Sequence, residues 1–170
     1  MSKEPNHATA PLRTVPHDNG EFVSVTVAGQ LFGIPVLQVQ DVLGPQRITR
    51  IPLAPQAVLG SLNLRGRIVT AVDVRRRLGT VERSLDKASM SVVVEHGGDL
   101  YSLVVDSVGE VLSLAGNELA PTPVTVAPRW REVSRGVYRM PEQLLVIVDI
   151  DRLLAGASDS EMPAVSTQAA

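Results

Sequence analysis

The chain has no cysteine and only 3 histidines in 170 residues. Without cysteine there is no disulfide framework, no thiolate nucleophile and no Cys-ligated metal, and His7, His17 and His96 are too scattered to form a ligand cluster. Aromatic residues are also scarce: Phe22, Phe32, Tyr101, Trp130 and Tyr138 are all there are. The core must therefore be filled by Val, Leu and Ile, and the valine-rich runs favour strands. A net charge of -2 provides no global attraction to a phosphate backbone or an anionic lipid surface. No apolar run approaches the roughly 18 residues of a membrane span, and the leader MSKEPNHATAPLRTVPHDNG lacks the apolar centre of a secretory signal. These absences point to a cytoplasmic protein with no direct membrane insertion, no nucleic acid partner and no metal.

What is present is the composition of a soluble globular protein, with 44% hydrophobic and 20% charged residues. Residues 1–19 and 156–170 are rich in Ala, Pro, Ser and Thr without apolar periodicity, and are expected to be a flexible leader and tail around a folded part at 20–155. Within it, FVSVTVAGQLFGIPVLQVQDVL (Phe22 to Leu43) alternates apolar and polar residues around a turn at Ala28-Gly29, which predicts a hairpin. An offset of 69 residues brings back the same pattern as SVVVEHGGDLYSLVVDSVGEVL, matching Val23, Val25, Gly29 and Leu31 to identical residues. A second offset, of 76 residues, lays GSLNLRGRIVTAVDVRRRL on GVYRMPEQLLVIVDIDRLL, with Gly60, Val72, Asp73 and Arg76 recurring as Gly136, Val148, Asp149 and Arg152. The chain is thus two copies of one unit. The fold expected is all-β with short helices: two small five-stranded barrels related by internal duplication, since closure removes exposed strand edges. The first barrel is placed at about 20–85 and the second at about 86–155, with strand exchange between them left open. Each is marginal alone, so the two should pack together and form a groove.

After Pro35, the spacing of Val36, Val39, Val42 and Leu43 predicts a short helix, repeated by Val105, Val108, Val111 and Leu112. These stripes are core candidates that also border the expected groove. The copies diverge at one hairpin tip, where Asn63-Leu64-Arg65-Gly66-Arg67 faces Arg139-Met140-Pro141-Glu142-Gln143. Gly66 suits a tight turn, whereas Arg65 is of a type enriched at protein interfaces, with Asp41 as its expected carboxylate partner. Asp73 and Asp149 form a duplicated carboxylate pair, but each precedes a short helical run (VRRRL, IDRLL) and reads as an N-cap. No Ser-His-Asp order, phosphate-binding glycine loop or cofactor motif is present, so no enzyme and no cofactor are expected.

The segments QLFGIPVLQVQDVL, RITRIPLAP, VLGSLNLRGRIVTAVDVRRRLG and VVDSVGEVLSL resemble the CheW family of chemotaxis scaffold proteins over about residues 20 to 155. The resemblance implies two SH3-like five-stranded β-barrels, no enzymatic activity, and an adaptor that joins a chemoreceptor's cytoplasmic hairpin tip to the regulatory domain of the histidine kinase CheA at receptor arrays. It implies a receptor-binding groove of Val36, Val39, Val42, Arg65, Ser102, Val108 and Val111, and a kinase-binding face of Asp41, Arg47, Thr49, Arg50 and Gly60. Thr70 stands where the family usually has Pro, and Val74 where it usually has Leu. The rival reading is a small barrel binding single-stranded nucleic acid through Arg65, Arg67 and Arg75, Arg76 and Arg77. It lacks the stacking aromatics such barrels use, none lying between Phe32 and Tyr101.

Overall fold

The computed structural model describes residues 20–80, 89–114 and 118–158; the leader at 1–19 and residues 159–170 of the expected tail lie outside them. The first copy supplies β1 (Glu21–Val27), β2 (Gln30–Pro35), a 3-10 turn (Val36–Gln38), β3 (Val39–Leu43), β4 (Val58–Leu64), β5 (Arg67–Asp73) and α1 (Val74–Arg77). The second supplies β6 (Met90–His96), β7 (Asp99–Val105), β8 (Ser107–Ser113), α2 (Pro128–Glu132), β9 (Ser134–Arg139), β10 (Leu144–Val148) and α3 (Ile150–Ser158).

The strands form two five-stranded sheets, ordered β8-β1-β2-β10-β9 and β3-β6-β7-β5-β4. Each holds the first hairpin of one copy and the last three strands of the other, so the sheets have the same order with the copies interchanged. Residues 85 and 86 thus separate the sequence copies and not the sheets. The copies join along β1·β8 and β2·β10 in one sheet and along β3·β6 and β5·β7 in the other, the β2·β10 and β5·β7 pairs being parallel.

Strand alternation distributes the core. On β6, Val92 and Val94 enter a central cluster shared by both sheets, while Val93 enters a smaller one with Leu59, Leu62, Val69 and Leu100. On β10, Val146 and Val148 face the central cluster, and Leu145 and Ile147 face a third cluster with Phe22 and Tyr138. Both edges of each sheet reach the same small cluster: Leu43 from β3 meets Leu62 from β4, and Leu112 from β8 lies with Tyr138 from β9. Each sheet therefore curls around its own core, in keeping with SH3-like barrels, and the central cluster joins their outer faces.

The helix expected across Val36–Leu43, and its repeat across Val105–Leu112, are corrected. Only Val36–Gln38 is helical, and Val39–Leu43 and Ser107–Ser113 are edge strands. The reason is a β-bulge. Val39 pairs with Val94 and Val42 with Val92, with the register shifting between Val39 and Asp41. Val108 and Val111 likewise pair with Val25 and Val23 across a shift. The extra residue puts two valines three positions apart on one face, a spacing that imitates a helical turn.

Candidate partner-binding surface

The tip that distinguishes the copies is a two-residue turn in which Arg65 has φ 53° and Gly66 φ 87°. Both positions of such a turn need positive φ. Glycine adopts it freely, whereas for arginine the left-handed region costs on the order of 1 kcal/mol. Asn63 supports the turn, its Oδ1 accepting from the Gly66 N–H at 2.9 Å. Arg65 extends from it to Asp41 on the opposite edge of the same sheet, Nη2 to Oδ2 at 3.2 Å, so the expected pair is formed and closes this end of the barrel. The Arg65 side chain remains 79% exposed, leaving the guanidinium open to a partner. Asp41 Oδ1 also accepts from the Val42 N–H at 2.9 Å, which fixes the carboxylate at the bulge.

The receptor-groove residues expected from sequence fall on two bulged edges. Val36 and Val39 from the first copy and Val108 from the second are half-buried against the central cluster, while Val42 and Val111 are 38% and 57% exposed. Each edge thus presents one valine rooted in the core beside one open to solvent. Ser102 is a correction: it is wholly buried. Alternation turns it, with Leu100 and Val104, toward the barrel interior, where its Oγ has no hydrogen-bond partner among the described residues.

On the expected kinase face, Arg47, Thr49 and Arg50 are exposed. Thr49 exchanges two backbone hydrogen bonds of 2.8 Å with Ser61 and so extends the β4 edge. Gly60 is buried beneath this contact at φ 150°, and a Cβ there would lie 2.1 Å from the Thr49 carbonyl oxygen. Its duplicate Gly136 at φ 149° makes the same close approach to Ala120. Next to the Thr49–Ser61 contact a cavity of about 270 Å³ is lined by Ile48, Arg50, Ile51, Leu53, Pro55 and Arg76, with Leu53 90% exposed.

The Arg75–Arg77 row is committed within the molecule. Arg75 donates from Nε and Nη2 to the two oxygens of Asp106 at 2.8 and 2.6 Å, and Asp106 Oδ2 also accepts from the Ala28 N–H at 2.8 Å. These hydrogen bonds raise the Arg75 pKa above its ordinary value, against partial desolvation. Arg76 approaches Asp73 at 3.6 Å, and Arg77 donates to the carbonyls of Leu153 and Arg152 in α3. Burial lowers the Arg77 pKa. The row that motivated a nucleic-acid reading therefore joins α1 to the rest of the fold, and nothing in the fold favours that alternative.

The duplicated aspartates act as caps, Asp73 Oδ1 accepting from the Arg75 N–H at 2.9 Å and Asp149 Oδ1 from the Arg152 N–H at 3.2 Å. Burial raises the Asp73 pKa and outweighs the backbone hydrogen bonds and nearby arginines that lower it. Among the described residues no group of three or more His, Asp or Glu is placed to hold a metal, and no helix is long and apolar enough to cross a membrane.

The Arg75–Asp106 clamp was missed from sequence although a signal existed. The duplicate of Arg75 is Asp151 and that of Asp106 is Leu37, the same kind of divergence that singled out Arg65.

The model of the CheW-like domain family matches residues 21–158. The chemotaxis protein CheW of Klebsiella aerogenes is 34% identical over 149 residues, covering 88% of each chain. That of Thermotoga maritima is 29% identical over 136 residues, covering 79% of this chain and 87% of the other. Among solved structures, the scaffolding protein CheW of Thermoanaerobacter tengcongensis superposes with a TM-score of 0.68 at 30% identity, covering 76% of this chain and 88% of that one.

Proposed function

Because the chain belongs to the CheW-like domain family, we propose that it is a non-enzymatic chemotaxis adaptor coupling chemoreceptors to the histidine kinase CheA. The observation that carries this reading is the family match along 21–158, supported by relatives similar over most of both chains. In this reading the receptor's helical hairpin tip lies against Val36, Val39, Val42, Val108 and Val111. Completing the burial of Val42 and Val111 contributes on the order of 1 kcal/mol each, since full burial of such a side chain is worth about 1.5–3 kcal/mol. Arg65 is the polar anchor of this surface. The kinase's regulatory domain meets Arg47, Thr49 and Arg50, with Gly60 acting from beneath by holding Thr49 to β4. Asp41 stands where the two surfaces adjoin. The chain works in the cytoplasm at receptor arrays.

The test is titration of the purified chain against a receptor tip fragment and, separately, the CheA regulatory domain. Arg65→Ala is expected to weaken binding of a partner about thirtyfold, or about 2 kcal/mol. Its unfolding free energy should stay within about 1 kcal/mol of wild type, because the Arg65 side chain is 79% exposed and its removal opens Asp41 to water. Arg65→Lys should not restore binding, since an ammonium lacks the planar fork. Arg67→Ala should change neither quantity. Wild-type protein that binds neither partner would overturn the adaptor reading; Arg65→Ala binding both at full strength would remove only the anchor.

A further inference from the structure

Leu53 stands where its turn calls for another kind of residue. The Ala54 N–H donates to the Ile51 carbonyl at 3.4 Å across Pro52 and Leu53, and Leu53 has φ 60°. Proline at the second position and a left-handed residue at the third are the pattern of a type II turn, whose third position suits glycine or asparagine. Leucine is strained there, because its Cβ crowds the following carbonyl oxygen. Its side chain is also 90% exposed, with Ile51 beside it at 42%. A cavity of about 270 Å³ lies alongside, yet the turn directs Leu53 out to solvent and not into it. The residue thus carries backbone strain and exposed apolar surface together, and the free chain recovers neither. Strain of this kind persists where a function uses it.

The surroundings of the turn define the surface that would cover it. From Val42 to Val72 the sequence carries four arginines, Arg47, Arg50, Arg65 and Arg67, and no aspartate or glutamate. No acidic residue lines the cavity either. Arg47 and Arg50 are exposed, and neither has an ion pair among the described residues. A partner that buries Leu53 has to bring carboxylates with it, since two arginines covered by an apolar or cationic surface would lose water without gaining a counter-charge.

We propose that Leu53 is a specificity-determining residue of the kinase-binding surface: it enters an apolar recess on the CheA regulatory domain, whose rim presents carboxylates to Arg47 and Arg50. The inference rests on the kinase reading given above. It adds the apolar anchor that reading lacks, since Arg47, Thr49 and Gly60 supply only charge and backbone. A leucine projecting from a two-residue turn fits a recess and not a flat surface, so a partner without the recess leaves it exposed or clashes with it. Selection thus comes from shape at Leu53 and from charge at the two arginines.

The experiment is calorimetric titration of the full chain with the CheA regulatory domain, with a receptor tip fragment as the control partner. Leu53→Asn gives the turn a residue it favours, so it should melt at or slightly above the wild-type temperature. The same change should weaken kinase binding about tenfold, or about 1.4 kcal/mol, and make the heat-capacity change of binding less negative. Leu53→Ala keeps a strained turn without the anchor and should weaken binding to a similar extent. Arg50→Ala should weaken it severalfold, and none of the three changes should alter binding of the receptor tip. Wild-type protein that does not bind the regulatory domain would remove the adaptor reading together with this inference. Wild-type binding that Leu53→Asn and Leu53→Ala retain at full strength would overturn this inference alone. So would a Leu53→Asn protein that melts well below wild type, since Leu53 would then serve the fold.

Discussion

Removing the Asp106 carboxylate should destabilise the fold far more than breaking an ordinary surface ion pair. Asp106→Ala takes two charge-assisted hydrogen bonds from Arg75 and the acceptor from the Ala28 N–H, which sits in a turn where Ala28 has φ 51°. The two side chains are 18% and 16% exposed, so the residual charge is left largely out of water. Exposed pairs contribute about 0–1 kcal/mol, and breaking a fully buried pair from one side costs about 3–5 kcal/mol. The geometry places Asp106→Ala near the lower end of the buried range, about 3 kcal/mol. Arg75→Ala should cost less, about 2 kcal/mol, because Asp106 keeps the Ala28 N–H as a donor. Removing both should cost about 3 kcal/mol and not the sum, giving a coupling on the order of 2 kcal/mol. Urea unfolding of the four proteins provides the cycle, and a fall in Tm on the order of 10 °C for Asp106→Ala checks it. Single variants that each cost under about 1 kcal/mol and add without coupling would show the clamp to be a surface bridge, and its role in joining α1 to the β1–β2 turn would be lost.

Asp73 should show an unusual pH dependence. Its folded pKa is raised, so between the ordinary carboxylate value and that higher one the folded state holds more protons than the unfolded state, and its contribution to stability falls as pH rises. Asp73→Asn keeps a capping acceptor and removes the titration, so wild type should gain on this variant as pH drops from 7 to about 4; a relative loss in urea unfolding over that interval contradicts the assignment. Gly60→Ala, whose Cβ would meet the Thr49 carbonyl at 2.1 Å, should cost about 3 kcal/mol or more, whereas Gly66→Ala, with open space around it, should cost about 1 kcal/mol. Kinase binding lost in a Gly60→Ala protein that has also lost its fold by circular dichroism says nothing of a direct contact. A fragment of residues 20–80 has no complete sheet and should be unprotected in amide exchange, but should regain protection when mixed with residues 89–158; protection of the first fragment alone refutes this.

The duplication was legible because apolar alternation survives divergence: Val23 and Val25 still face the central cluster as Val92 and Val94 do. The N-caps were legible because an aspartate before a short helical run has few other local uses. The strand character of Val39–Leu43 was not, since a bulge produces the three-residue spacing of a helix and its existence depends on pairing with β6, remote in sequence. Ser102 was carried into the groove by resemblance alone; a side chain's face follows from the pleat, and the buried neighbours Leu100 and Val104 already marked its side as interior. The Arg75–Asp106 pair spans 31 residues, and composition alone did not separate it from the adjacent arginines.

The interchange of hairpins bears on how a chemotaxis coupling adaptor can hold two binding surfaces in fixed relation. In a tandem of independent barrels, a load on one would pass to the other only through a linker. Here every sheet contains strands of both copies, hydrogen-bonded to each other along β1·β8 and β2·β10 in one sheet and along β3·β6 and β5·β7 in the other. The shared central cluster adds close packing between the sheets, which resists small sliding motions. The valine edges and the Arg47–Arg50 face are therefore held in fixed relation by the covalent path of the chain as well as by packing. A symmetric scaffold of this kind leaves specificity to the positions where the copies differ. Among those positions are Arg65 against Pro141, Arg75 against Asp151 and Asp106 against Leu37, and each changes a charge at a junction while leaving the core alternation intact. The scaffold can tolerate such changes because they lie at turns and helix starts, outside the hydrogen-bonded ladders that hold the two halves together.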